Sequence, residues 1–248
     1  MSVVIACKFN NGVIVASDRQ VTRGYYEKLE DKVTKQIKIE GKNITIGSVG
    51  SLRELQKMKL IANKLFRDIN DLNEDECIKL TNNITRVYRD FEFIEPTQII
   101  KELNNVYLLT DPYNINLMTN DLSIMSDFDY YAIGCGDDLA LGYLNVEFKD
   151  KDPNDMTSEE IIKILTEAIK TSCKDSTGID DNVDISIMYK HANDLISDNS
   201  YEVIDKCEYD ILEKSKPKSE CNHKCDECLH NIRFVYSKKH KTIQMISN

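Results

Sequence analysis

The sequence predicts a layered α+β domain, followed by a small C-terminal extension that is rich in cysteine and histidine. Apolar, β-branched segments come in blocks, and segments with helical spacing lie between those blocks, a pattern typical of sheets packed on helices. The predicted order is four strands, two helices, three strands, two helices and one strand. We expect the domain to span residues 1–190 and the extension to span residues 191–248.

The first strands carry apolar residues on both faces. Residues 2–9 are apolar and β-branched, Asn10-Asn11-Gly12 is a turn signal, and residues 13–17 are apolar again. Residues 33–40 alternate, and an apolar segment over residues 44–49 follows. Strands that are apolar on both faces lie in a sheet covered on each side, so these segments predict a buried sheet.

The helical segments follow the first block of strands. Ser51 is a candidate N-cap with Glu54 three residues later, and apolar residues then recur at helical spacing to Leu65. A second helix is predicted over residues 73–93. Ser158 starts a later helix with two glutamates in its first turn, where acidic residues complement the helix dipole.

Composition and charge argue against some classes of function. The chain has 248 residues, of which 41% are hydrophobic and 30% charged, as is typical of globular proteins. Its net charge of −10 argues against a general partner among nucleic acids or anionic membranes, which require a basic face. The N-terminus lacks the basic segment and long apolar core of a secretory signal. We therefore expect a cytoplasmic protein.

Four of the eight cysteines crowd the C-terminal region, where the pattern C-x-H-x-C-x-x-C-x-H begins at Cys221. Cys-x-x-Cys with a third cysteine nearby is typical of structural zinc sites, and Cys207 or one histidine could complete a tetrahedron. Reduced surface thiols are the alternative. The predicted structural zinc ligands are Cys207, Cys221, Cys225 and Cys228.

Four segments resemble motifs of the proteasome β-subunit family and its bacterial hexameric relative, which are N-terminal nucleophile hydrolases. Residues 12–22, GVIVASDRQVT, resemble the second strand and Asp-Arg turn of that family. Residues 35–39 resemble the segment that carries its catalytic lysine, and residues 44–50 the strand that supplies its oxyanion donor. Residues 131–136 resemble its Gly-Ser-Gly turn. The resemblance spans about residues 2–190 and implies a four-layer αββα sandwich.

The resemblance places the family's nucleophile at Ser2, counted back without a gap from Gly12 and Asp18. Removal of Met1 would expose the α-amine of Ser2, which titrates near ~8 and so can accept the hydroxyl proton at neutral pH. Ser2 could also be an ordinary residue, because Met-Ser is a common start. The family uses threonine here, and serine lacks its rotamer-restricting methyl group, so we expect slower peptide hydrolysis.

Lys35 is the predicted catalytic lysine. Alternation places it on the same strand face as Val33, Ile37 and Ile39, so its ammonium should point toward the interior. A buried lysine requires a partner or a function, and the expected partner is Asp18. The alternative is a surface lysine with an ordinary ion pair.

The resemblance implies further site residues. Gly47 would donate its backbone N–H to the oxyanion, which requires no side chain. Cys135 stands where the family has a serine that orients the N-terminal amine, and a thiol is a weaker hydrogen-bond partner. Asp175 and Thr177 would take the parts of the family's Asp-x-x-Ser-Gly, in a shortened motif. The residues expected to edge a peptide-binding groove are Gln20, Val21 and Thr22.

These expectations favour a peptidase that acts on peptide or protein substrates inside a homo-oligomeric ring, with no cofactor for catalysis. No nucleotide-binding loop is present in the sequence, so energy-driven unfolding of substrates would require an ATPase partner. Two alternatives remain open: a non-catalytic β-like subunit or scaffold, and a specific amidase or transpeptidase on the same fold.

Overall fold

The computed structural model describes residues 2–23, 27–30, 33–175, 182–190, 201–204, 232–237 and 242–247. The chain divides into two compact units, Met1–Glu40 with Ile44–Met188, and Gly41–Asn43 with Tyr189–Asn248. The predicted division into a domain of residues 1–190 and an extension of residues 191–248 stays a prediction.

The described strands lie largely in the first unit, and the helices lie there entirely. The strands are β1 (Val3–Phe9), β2 (Gly12–Asp18), β3 (Val21–Arg23), β4 (Glu27–Glu30), β5 (Gln36–Lys38), β6 (Thr45–Gly50), β7 (Asn105–Thr110), β8 (Ile115–Met118), β9 (Ile124–Met125), β10 (Tyr130–Gly134), β11 (Val183–Tyr189), β12 (Tyr201–Ile204), β13 (Ile232–Ser237) and β14 (Thr242–Ser247). The α-helices are α1 (Leu52–Leu65), α2 (Glu74–Asp90), α3 (Asp137–Glu147) and α4 (Ser158–Asp175).

Two sheets form the centre of the first unit. The first has the order β10-β1-β2-β11 and the second the order β5-β6-β7-β8-β9, while β3 and β4 form a separate ribbon. In the first sheet Val4 pairs with Ser17 and Val3 pairs with Gly134. This register brings the start of β1 and the ends of β2 and β10 to one edge of the sheet.

The two sheets pack face to face. Val4, Ala6 and Val15 of the first sheet share a core with Leu108 and Leu117 of the second. Helices α1 and α2 cover the outer face of the second sheet, and α3 and α4 cover the outer face of the first. The predicted αββα sandwich is therefore confirmed, and the apolar residues on both strand faces have their cause in the two layers that cover each sheet.

Several described strands are not among the predicted elements. Residues 21–23 and 27–30 form the β3–β4 ribbon, and β9 is a two-residue strand that is too short to produce a periodic pattern. Strands β12, β13 and β14 follow the last predicted strand. Ser51 does precede α1, but its side chain caps no N–H of that helix. Glu54 does not reach back to complete the cap either, because it is buried and accepts the hydroxyl of Tyr88 on α2.

Leu108→Ala tests the inter-sheet core. Leu108 is fully buried, so the variant should lose roughly 2–5 kcal/mol of unfolding free energy, through lost burial and the cavity left behind. Leu60 on α1 is 61% exposed, and Leu60→Ala should cost less than about 0.5 kcal/mol. Urea unfolding measures both, and equal losses would contradict the described packing.

Candidate active site

Ser2 lies at the sheet edge where β1 begins and β10 ends. Its backbone N–H donates to the sulfur of Cys135 at 3.2 Å, and the Cys135 N–H donates to the Ser2 carbonyl at 2.9 Å. Gly134 has φ +115°, and a Cβ there would overlap the Ser2 carbonyl group. Only glycine therefore lets β10 approach Ser2 this closely.

Asp18 is buried near Ser2, and its carboxylate accepts hydrogen bonds from several groups. One carboxylate oxygen accepts the Val3 N–H at 2.9 Å and the ammonium of Lys35 at 2.5 Å, and the other accepts the Gln20 N–H at 3.2 Å. The Asp18 side chain is fully buried and that of Lys35 is 5% exposed. Two backbone donors and one cation thus satisfy the carboxylate, as a charge in the interior requires.

Gln36 holds the segment that carries Lys35 against the first sheet. Its side-chain amide donates to the Ser17 hydroxyl at 3.0 Å and to the Asp184 carbonyl at 2.9 Å. The alternation of residues 33–40 places Gln36 on the face opposite Lys35, yet both side chains are buried. Sequence reasoning missed this residue, because its partners come from strands that are distant in the chain.

Ser2 and Lys35 line one cleft, with a volume of about 70 Å³. The described residues of its walls combine aliphatic side chains with uncharged polar groups, and the charged residue among them, Lys35, is paired with Asp18. The other residues that line the cleft are Gln20, Val21, Val33, Ser48, Gly50, Ser51, Leu52, Leu55 and Asn105.

Gly50, rather than Gly47, is the glycine of β6 that lines this cleft. Successive N–H groups of a strand point to opposite neighbours, and the Ser48 N–H donates to the Lys35 carbonyl at 2.9 Å. The Gly47 N–H must therefore face β7, with which that residue pairs. The Gly50 N–H points to the same side as that of Ser48, beyond the start of β5. A Cβ on Gly47 would lie 2.5 Å from Val4 in the inter-sheet core.

The exposed thiol of the site differs from two buried ones. Burial raises the pKa of the Cys7 thiol well above its usual range, and burial together with nearby acidic groups raises the pKa of Cys77 to about 12. Both therefore stay protonated near neutral pH and behave as core residues. Cys135, which contacts Ser2, is exposed.

The structure places the other predicted residues as follows. Gln20 and Val21 line the cleft, and Thr22 lies in β3, where its backbone pairs with Lys28. Asp175 is the last residue of α4, but its side chain is not described. Thr177, Cys207, Cys221, Cys225 and Cys228 lie outside the described residues, so their predicted roles stay predictions.

The described residues contain no group of three or more His, Cys, Asp or Glu side chains that could hold a metal ion. No helix among them is long and apolar enough to cross a membrane.

The chain is similar to known protein sequences. A family model described as "Proteasome subunit" matches residues 2–90. A "Proteasome subunit beta" of Methanocaldococcus vulcanius is 27% identical over 215 residues, which cover 85% of this chain and 90% of that protein. Another of that name, from Nanoarchaeum equitans, is 26% identical and covers 69% of this chain and 85% of its own length.

Solved structures share the fold. The crystal structure of eukaryotic HslV from Trypanosoma brucei has a TM-score of 0.59 and 14% identity, over 75% of this chain and 99% of that chain. Thiobacillus denitrificans BPH in complex with epoxomicin has a TM-score of 0.58 and 14% identity, over 76% of this chain and 99% of that chain.

Asp18→Asn tests the buried ion pair. The substitution preserves shape but leaves the Lys35 ammonium buried without its counter-charge, so it should cost about 3–5 kcal/mol of unfolding free energy. Asp129→Asn, in the more exposed pair with Lys8, should cost about 0–1 kcal/mol.

A double variant separates the charge from the packing. Adding Lys35→Met to Asp18→Asn removes the orphaned cation and should recover much of the loss. Urea unfolding measures the free energy of unfolding of the natural chain, the two single variants and the double variant. If Asp18→Asn behaved like Asp129→Asn, Lys35 and Asp18 could not form a buried pair.

Proposed function

We propose that this chain, which belongs to the proteasome β-subunit family of N-terminal nucleophile hydrolases, is a peptidase whose nucleophile is the hydroxyl of Ser2 after removal of Met1. The observation that carries the proposal is that Ser2 and Lys35, which is paired with the buried Asp18, line the same cleft. A buried lysine beside a candidate nucleophile is the arrangement that this chemistry requires.

The proposed reaction begins with proton transfer inside one residue. The free α-amine of Ser2 accepts the hydroxyl proton while the hydroxyl oxygen attacks the carbonyl carbon of a peptide bond. The carbon–nitrogen bond then breaks, and the leaving nitrogen takes the proton from the ammonium. An ester on Ser2 remains, and a water molecule hydrolyses it with the amine as base. The step needs no cofactor.

Lys35 would act through its charge. A cation beside the N-terminus disfavours protonation of the α-amine, which keeps a larger fraction available as a base. Asp18 would hold the lysine in place, and its bond to the Val3 N–H ties this charge pair to the residue next to Ser2.

Gly50 replaces Gly47 as the proposed oxyanion donor. Its N–H points past the start of β5 toward the cleft, whereas the Gly47 N–H faces β7. A fixed backbone donor of this kind stabilises the negative charge that develops on the carbonyl oxygen, without reorganisation during the reaction.

Cys135 departs from the family pattern. It is close enough to the Ser2 nitrogen to orient it, at 3.2 Å, but a thiol forms weaker hydrogen bonds than a hydroxyl. Together with serine in place of threonine, it is the observation that favours the second candidate function, a non-catalytic β-like scaffold.

The cleft favours a neutral substrate side chain. A charged side chain would lose its hydration there, and Lys35, the charged residue among the described lining residues, is already paired with Asp18. An extended peptide could pair with the part of β6 that lies beyond the start of β5, with Gln20 and Val21 on the other side of the cleft.

We further propose that copies of the chain form a homo-oligomeric ring in the cytoplasm and that a separate ATPase delivers protein substrates. The names of the relatives, which describe subunits, support assembly. The four C-terminal cysteines remain a proposed structural zinc site, which metal analysis of the purified full chain would test.

Ser2→Ala tests the nucleophile. Hydrolysis of a fluorogenic peptide with leucine before the cleaved bond should fall to background, because the hydroxyl is lost while the fold remains. Ser2→Thr should be at least as active as the natural chain, since threonine restores the restricted rotamer. Ser123→Ala, at an exposed serine, controls for the loss of a hydroxyl elsewhere.

Three results would count against the proposal. Full activity of Ser2→Ala would remove Ser2 from the mechanism. An inactive natural chain and an inactive Ser2→Thr would favour the scaffold. Cleavage of one defined amide without general peptide hydrolysis would favour an amidase or transpeptidase.

A further inference from the structure

We propose that Asn105 is a positioning residue that fixes the end of β6, so that the Gly50 N–H points into the cleft. The inference rests on the proposed function and extends it to a residue on a different strand, far from Ser2 in the chain. Asn105 is 2% exposed and lines the cleft.

The Asn105 side chain holds the segment from Ser48 to Ser51. Its amide nitrogen donates to the Ser48 hydroxyl at 2.9 Å and to the Ser51 carbonyl at 3.1 Å. Its amide oxygen accepts the Ser51 N–H at 2.5 Å. Both amide protons and the oxygen are thus engaged, and the three bonds go to Ser48 and Ser51, on either side of Gly50.

Gly50 has a conformation and surroundings that require glycine. Its φ is +130°, which L side chains rarely adopt, and a Cβ there would overlap the Asn105 side-chain oxygen and lie 2.6 Å from the Asn104 carbonyl oxygen. The Asn105 amide therefore occupies the space that any side chain at position 50 would need.

The backbone hydrogen-bond pattern of β6 explains why side-chain bonds hold this segment. The Ser48 N–H faces β5, so the pairs of β6 with β7 that exchange backbone bonds are those of residues 47 and 49. Gly50 and Asn105 are a non-hydrogen-bonded pair, and β5 begins too late to bond Gly50 from the other side. Side-chain bonds of Asn105 take the place of the missing backbone bonds where β6 turns into α1.

The consequence for the reaction is specific. Removing one oxyanion donor lowers kcat by roughly 10²–10³-fold, and displacing it by a fraction of an ångström should cost less. Loss of the Asn105 bonds should therefore lower kcat by about 10–100-fold. KM should change less than about threefold, because the donor acts mainly on the charge that develops in the transition state.

The test compares neighbouring asparagines. Asn105→Ala removes all three bonds, whereas Asn104→Ala makes the same chemical change at an exposed side chain. Steady-state kinetics on the leucine peptide give kcat and KM separately, and thermal unfolding shows whether each variant is folded at the assay temperature. We expect the kcat loss in Asn105→Ala alone.

A second variant keeps the test valid if Asn105→Ala does not fold. Asn105→Asp is nearly isosteric and keeps the acceptor for the Ser51 N–H, but it loses both donors and should show the same kcat loss in a folded protein. If folded Asn105→Ala or Asn105→Asp matched Asn104→Ala in kcat, or if KM carried the whole change, the inference would be overturned while the proposed function stood. An inactive natural chain would overturn both.

Discussion

The ion pair between Lys35 and Asp18 is the interaction on which the rest of the site depends, because it joins three segments that are separate in the chain. Asp18 ends β2, accepts the N–H of Val3 at the start of β1, and bonds the ammonium that precedes β5. A carboxylate with its cation in the interior is stable only when both are fully partnered. The geometry at the N-terminus is therefore fixed by a charge that the core cannot leave unpaired.

Close contacts between backbone segments also shape the site. Gly134 allows the carbonyl of Ser2 to bond the N–H of Cys135, and Gly50 allows the end of β6 to close against Asn105. Both glycines have positive φ, and in both places an added Cβ would strike a neighbouring segment. The site is thus built from the edges of two sheets, at positions where only backbone fits.

Local patterns in the sequence predict some of this arrangement and not the rest. The apolar face of residues 33–39 predicts that Lys35 is buried, and a buried cation requires a partner such as Asp18. The same alternation does not predict the burial of Gln36, and Lys35 itself lies just before β5. The choice between Gly47 and Gly50 depends on which strand each N–H faces, and this depends on the register of β6 with β5 and β7. Asn105 could not be found at all from local sequence, because its bonds cross 54 to 57 residues of chain. A local sequence pattern gives no information on the register between strands that are distant in the chain.

The central claim is that a free and activated Ser2 lies in a formed site. The most direct measurement is the intact mass of the purified chain before and after treatment with epoxomicin, a peptide epoxyketone, followed by peptide mapping. The account predicts loss of Met1 and one adduct that maps to Ser2. Retention of Met1 with no adduct, or an adduct that maps to another residue, would contradict it.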